Sequence, residues 1–110
     1  MLVILFRSKL TPEAAEGYPE MAARMDAHAR TFDGFIDLKS FLAEDGERLT
    51  VVWWRDEESL RDWRQQVRHR MAQKTGREKW YEYYKMEVSS VIRSSAFERQ
   101  EASSSLPTLQ

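Results

Sequence analysis

Two histidines, one strand-end arginine and a crowd of large aromatic side chains are the residues here that could do chemistry. His69 falls on a predicted helix, about 160° from the centre of a stripe formed by Leu60, Trp63, Val67 and Met71. It is therefore off the core face. It points either into a pocket at the helix edge or simply into water, the simpler reading. His28 lies on the apolar stripe of another helix, which suits a hydrogen-bonded structural role. With no HExxH-type spacing between them, the histidines argue against a metal site. Arg7 interrupts the apolar run Met1–Phe6. There it could hold a carboxylate or enolate by paired hydrogen bonds, or sit in a surface or interface ion pair. Trp53, Trp54, Trp63 and Trp80, with Tyr81, Tyr83 and Tyr84, suit a core or an interface, and also a pocket for a flat apolar ligand. The chain has no cysteine, so disulfides, thiolate nucleophiles and iron–sulfur sites are excluded.

These residues have to be positioned by short elements. Met1–Ser8 is a predicted strand. Thr11-Pro12 opens a helix whose face carries Ala14, Tyr18, Met21, Met25, His28 and Phe32, with a kink expected near Ala15–Pro19 because Pro19 lacks a donor. Asp33-Gly34 stops it. Phe35–Leu42 and Leu49–Arg55 are strands joined by the turn Glu44-Asp45-Gly46-Glu47. Asp56 or Ser59 begins a second helix running towards Gly76, and a turn around Arg77–Tyr81 leads into a fourth strand, Tyr83–Arg93. The order βαββαβ is that of an α+β, ferredoxin-like antiparallel sheet with strands one and three at its centre. Residues 1–97 form the expected domain, and residues 98–110, low in complexity, a disordered tail.

Strand one has Met1, Val3 and Leu5 on one face and Leu2, Ile4 and Phe6 on the other. Strand three likewise has Leu49, Val51 and Trp53 opposite Val52 and Trp54. Two helices cover one face of such a sheet. The other would expose several hundred Å2 of apolar surface, worth about 10 kcal/mol before association costs, so a homodimer through the sheet faces is expected. A tail folded back over that face is the alternative. The net charge of −1 gives no global pull towards nucleic acid or anionic lipid. Seven basic residues against two acidic ones between Arg61 and Lys79 follow an acidic first turn, the order the helix dipole favours. No membrane span or secretory signal is visible, and a cytoplasmic protein is the expectation.

The pattern Phe6-Arg7-Ser8, Gly34-Phe35, Val51-Val52-Trp53-Trp54 and Trp63…His69…Ala72-Gln73…Gly76-Arg77…Trp80-Tyr81…Tyr84 resembles the antibiotic biosynthesis monooxygenase family over about residues 1–97. The resemblance implies a dimeric α+β barrel. It also implies an oxygenase without metal or flavin, in which a deprotonated phenol or quinol passes an electron to molecular oxygen, the co-substrate. On that reading His69 is the acid/base, Arg7 the anion stabiliser, and Trp54, Trp63 and Tyr84 contact a small aromatic substrate. One branch of the superfamily degrades heme with a strand-end asparagine. This chain has Phe6-Arg7-Ser8 there and no asparagine anywhere, which disfavours that reaction. A non-catalytic dimeric ligand-binding or stress-response protein, or a heme-binding relative, are the alternative readings.

Overall fold

The computed structural model describes residues 1–100, the side chains of Val67, Arg68 and Arg70 excepted; the expectations for residues 101–110 and for the Val67 side chain lie outside what is described. Strand β1 (Leu2–Leu10) is followed by a 3-10 turn (Pro12–Ala15) and helix α1 (Tyr18–Ala29). The hairpin β2 (Phe35–Leu42) and β3 (Arg48–Trp54) comes next, then α2 (Glu57–Arg64), α3 (Val67–Thr75), a π-helical turn (Gly76–Trp80) and β4 (Tyr81–Ser90). The sheet is antiparallel in the order β2-β3-β1-β4, so the two strands that are apolar on both faces are the central pair. The fold is α+β and ferredoxin-like, as the element order implied.

Parity assigns the two faces. The register Ile4↔Val52 and Leu2↔Trp54 puts these four residues on the side covered by the helices. There Ile4, Val52 and Trp54 form a buried core with Ala29 of α1 and Leu60 of α2. Trp54 has no solvent exposure, and Phe32, Phe35 and Trp63 meet its ring edge-on or tilted. The opposite face carries Val3, Leu5, Leu49, Val51 and Trp53, flanked by Phe41 on β2 and Tyr83 on β4.

Beyond shifts of one or two residues at the ends of β1 and β3, three elements differ from expectation. The first helix is not kinked but divided: a 3-10 turn ends at Ala15, and α1 starts at Tyr18 with Pro19 in its first turn, where the missing N–H is not needed. Gly17 makes the join at φ +93°, with the Trp80 ring 3.2 Å from where a Cβ would stand. The fourth strand starts at Tyr81 and ends at Ser90 rather than Arg93; just beyond it, Val91 N–H bonds Met1 O at 3.0 Å. The second helix is two helices. Asp56 caps α2, its carboxylate accepting from Ser59 N–H at 2.9 Å, and Gln66 is extended (φ −66°, ψ 142°), so α3 begins afresh at Val67.

Candidate functional site

That break decides the site. In one continuous helix His69 would point about 120° away from Trp63, six residues earlier. With the chain restarted at Gln66, their ring centroids are 4.1 Å apart, and His69 is half-buried. Met71, expected on the core stripe, is instead 64% exposed. Of the two directions open to His69, pocket or water, the re-phased α3 turns it towards the pocket.

Between the helices and the sheet lies a cavity of about 150 Å3, the size class that holds a single benzene ring when dry. Helix α1 contributes Tyr18, Met21, Ala22, Met25 and Asp26, the i, i+3, i+4, i+7, i+8 face of an amphipathic helix. The sheet supplies Ile4, Phe6 and Val52 as the floor. Trp63 and Arg64 close one side from α2, and His69, Ala72 and Gln73 from α3. Met86 and Val88 on edge strand β4 also line it and are exposed, which brings the cavity to the surface there.

The walls are apolar and the polar groups few, which sets their electrostatics. Burial drives the His69 pKa down to about 4, and the Arg64 guanidinium and His28 push the same way. His69 is therefore a neutral imidazole at neutral pH. Its Nδ1 is buried with no hydrogen-bond partner among the described residues, as are Trp63 Nε1, Trp54 Nε1 and His28 Nε2. Of these, His69 and Trp63 line the cavity; an unpaired buried nitrogen costs about 1–3 kcal/mol, so this end of the cavity is poised for an oxygen-bearing guest. Burial raises the Asp26 carboxyl above its ordinary value against the pull of Arg30, and raises the Tyr81 hydroxyl as well. No group of three or more potential metal ligands occurs among the described residues.

The five residues singled out in the sequence divide cleanly. Trp63 and His69 line the cavity together. Trp54 stands one layer behind, backing Trp63 at 5.5 Å between ring centroids. Tyr84 also lies outside the lining, packed on Phe6 and Tyr81, and its hydroxyl accepts from Arg77 Nη1 at 3.1 Å. Arg7 is on the far face of the sheet. It pairs with Glu47 at 3.0 Å, and Tyr83 donates to the other Glu47 oxygen at 2.7 Å. Those two bonds, Tyr83 first, hold the Glu47 carboxyl below its ordinary value. An anion-stabilising role for Arg7 inside this cavity is thereby corrected, because β1 parity sends residue 7 away from Ile4 and Phe6. Among the described residues, the cation that lines the cavity is Arg64. In sequence it belonged to the basic run read as a solvated helix face. Its signal was adjacency to Trp63. Asp26, beside Met25 on the α1 stripe, carried no separate signal.

The sequence profile of the antibiotic biosynthesis monooxygenase family matches residues 1–75. The chain is 34% identical over 91 residues to an uncharacterized protein of Bacillus subtilis, YqjZ, covering 83% of this chain and 80% of that one. It is 32% identical over 96 residues to the jasmonate monooxygenase of Pyricularia oryzae, covering 86% of this chain but 45% of that protein. Among solved structures, Rv0793 from Mycobacterium tuberculosis superposes with a TM-score of 0.75 at 16% identity, over 86% of this chain and 98% of that one. SnoaB from Streptomyces nogalater, a cofactor-independent oxygenase, superposes with a TM-score of 0.71 at 15% identity, over 84% and 94%. At those identities the likeness is one of fold.

Proposed function

The chain belongs to the antibiotic biosynthesis monooxygenase family, and from that premise we propose that it oxygenates a small phenol or quinol without a cofactor of its own. The observation that carries the reading is a neutral, half-buried imidazole with an unpartnered Nδ1, stacked on Trp63 in the wall of an apolar cavity beside Arg64. The cavity suits one aromatic ring. Its flat partner is Trp63, and its hydroxyl is directed to His69.

A base with a pKa of about 4 is weak against a phenol in water. The same field explains how it serves. The Arg64 charge that disfavours imidazolium favours a phenolate, and a phenolate formed beside His69 supplies a counter-charge next to the imidazolium. Proton transfer thus yields an ion pair beside Arg64 and the Trp63 indole rather than two separated charges. The electron-rich ring then reduces molecular oxygen. One oxygen atom ends as a ring carbonyl and the other leaves as water, so phenol plus O2 gives quinone plus H2O. The role of the protein is to exclude water, to hold the ring and to accept the proton at His69.

A porphyrin is several times larger than a cavity of about 150 Å3, so the cavity suits a single ring better than a heme. The dimer belongs to the same proposal. The sheet face bearing Val3, Leu5, Leu49 and Trp53 is the surface for a second copy, leaving the helix-side cavity of each copy intact. Oxygen consumption with a panel of mono- and dihydroxylated single-ring compounds tests the activity. Uptake that falls at least tenfold in His69→Ala supports it; uptake equal in the two proteins, or none with any compound, overturns it.

A further inference from the structure

A second hollow lies against the outer side of the first. It is an open groove of about 420 Å3 between α1 and α3, walled by Met71 and Thr75 of α3 and by Trp80 of the π-helical turn. Met21 and Met25 of α1 and Ala72 of α3 line both the groove and the inner cavity. Those three side chains are therefore the partition between the two spaces.

The partition is soft, and the far wall of the groove is not. Met21 and Met25 stand one helical turn apart and are half-buried. A methionine has three rotatable bonds and a polarisable thioether, so it re-packs into irregular spaces at low cost. Ala72 adds only a methyl group. Among the described residues α3 gives nothing to the buried core, which is built from α1, α2 and the sheet. Trp80, by contrast, is buried, donates from Nε1 to Glu16 O at 3.2 Å and meets the Tyr18 ring edge-on.

We propose that the groove is a second substrate subsite, which takes an apolar tail attached to the ring in the inner cavity. A cavity of about 150 Å3 is filled by one ring and has no room for a tail. Ala72 lies three residues beyond His69, one turn along the same face of α3, so the partition begins beside the ring. Met21 and Met25 swing aside for the tail and then pack along it, while Met71, 64% exposed, is covered by it. The substrate class narrows accordingly, from a small phenol or quinol to one bearing an alkyl or alkenyl chain. The inference rests on the phenol site proposed above and extends that site outward. A tail leaving past Met86 and Val88, where the cavity also reaches the surface, is the competing outcome.

Calorimetric titration of the full chain with 4-methylphenol and 4-hexylphenol, and with the 3-substituted pair, reads the tail as a ratio of affinities. In the parent, the hexyl compound of at least one pair is expected to bind at least tenfold more tightly than its methyl partner, because buried methylenes leave water. Thr75→Trp and, separately, Met71→Trp fill the groove from positions that do not line the inner cavity. Each is expected to bring the ratio below threefold. A footprint on the unaltered chain needs no substitution: the hexyl compound is expected to slow peroxide oxidation of Met71 at least threefold relative to the methyl compound, read by mass spectrometry. A parent ratio near one overturns the proposal. So does a ratio that survives in a folded groove-filling variant, or Met71 oxidation that ignores the tail, since either sends the chain elsewhere. Tail-dependent binding without oxygen uptake from any of the four compounds refutes the oxygenase reading alone and leaves the subsite standing. Failure of all four to bind overturns both.

Discussion

Replacing His69 by glutamine removes a titrating group from the cavity wall and keeps a polar side chain there, and the consequence is a pH dependence whose sign follows from burial. The imidazole falls from its ordinary value of 6.5 to about 4 on folding. The unfolded chain therefore binds a proton at higher pH than the folded one. Above pH 6.5 both states are neutral at this residue and the effect is nil. As the pH falls from 6.5 towards 4 the unfolded state gains the proton first, and stability is lost across that window. The full displacement corresponds to about 3 kcal/mol. Because the ring is only partly shielded from solvent, about 1–2 kcal/mol is the expected size. Urea unfolding at pH 7, 6, 5 and 4.5 checks it. The parent midpoint should fall relative to the His69→Gln midpoint by about 1 M across the series, for a urea slope of about 1–2 kcal/mol/M. The effects of Asp26 and Glu47 are common to both proteins and cancel in the difference. Parallel midpoints from pH 7 to 4.5, or a His69 proton resonance that titrates near 6.5, would refute the claim that the ring is buried in the cavity wall.

Arg64→Gln is expected to lower kcat/KM for phenols at least tenfold and to raise the His69 titration midpoint, whereas Arg7→Gln, on the far face, should leave turnover per folded dimer within about twofold. Steady-state oxygen uptake on both variants decides between the two arginines. Gly34→Ala should destabilise by about 1–3 kcal/mol, because a methyl there would coincide with the Ser59 Cβ and Oγ. Ser59→Ala should not rescue it, since the Cβ remains, while Ser59→Gly should; thermal melts of the double variants read the difference.

Much of this architecture was legible in the residues. The bounds of β2 follow from its flanking turns, and the central position of β1 and β3 from being apolar on both sides. Alternation along β1 already separates Arg7 from Ile4 and Phe6, and along β3 separates Trp53 from Trp54. Helix α1 shows its cavity face as the spacing of Tyr18, Met21 and Met25.

Two things were settled only by the tertiary structure. Strands that are apolar on both faces do not say which face the helices take. Packing of Ala29 and Leu60 on Ile4, Val52 and Trp54 chose it, and so put Arg7 outside the cavity and Arg64 on its wall. The restart at Gln66 was equally silent, because glutamine is a good helix former and neither glycine nor proline marks the break. One extended residue there re-phases α3, and that rotation, which no local preference encodes, brings His69 against Trp63.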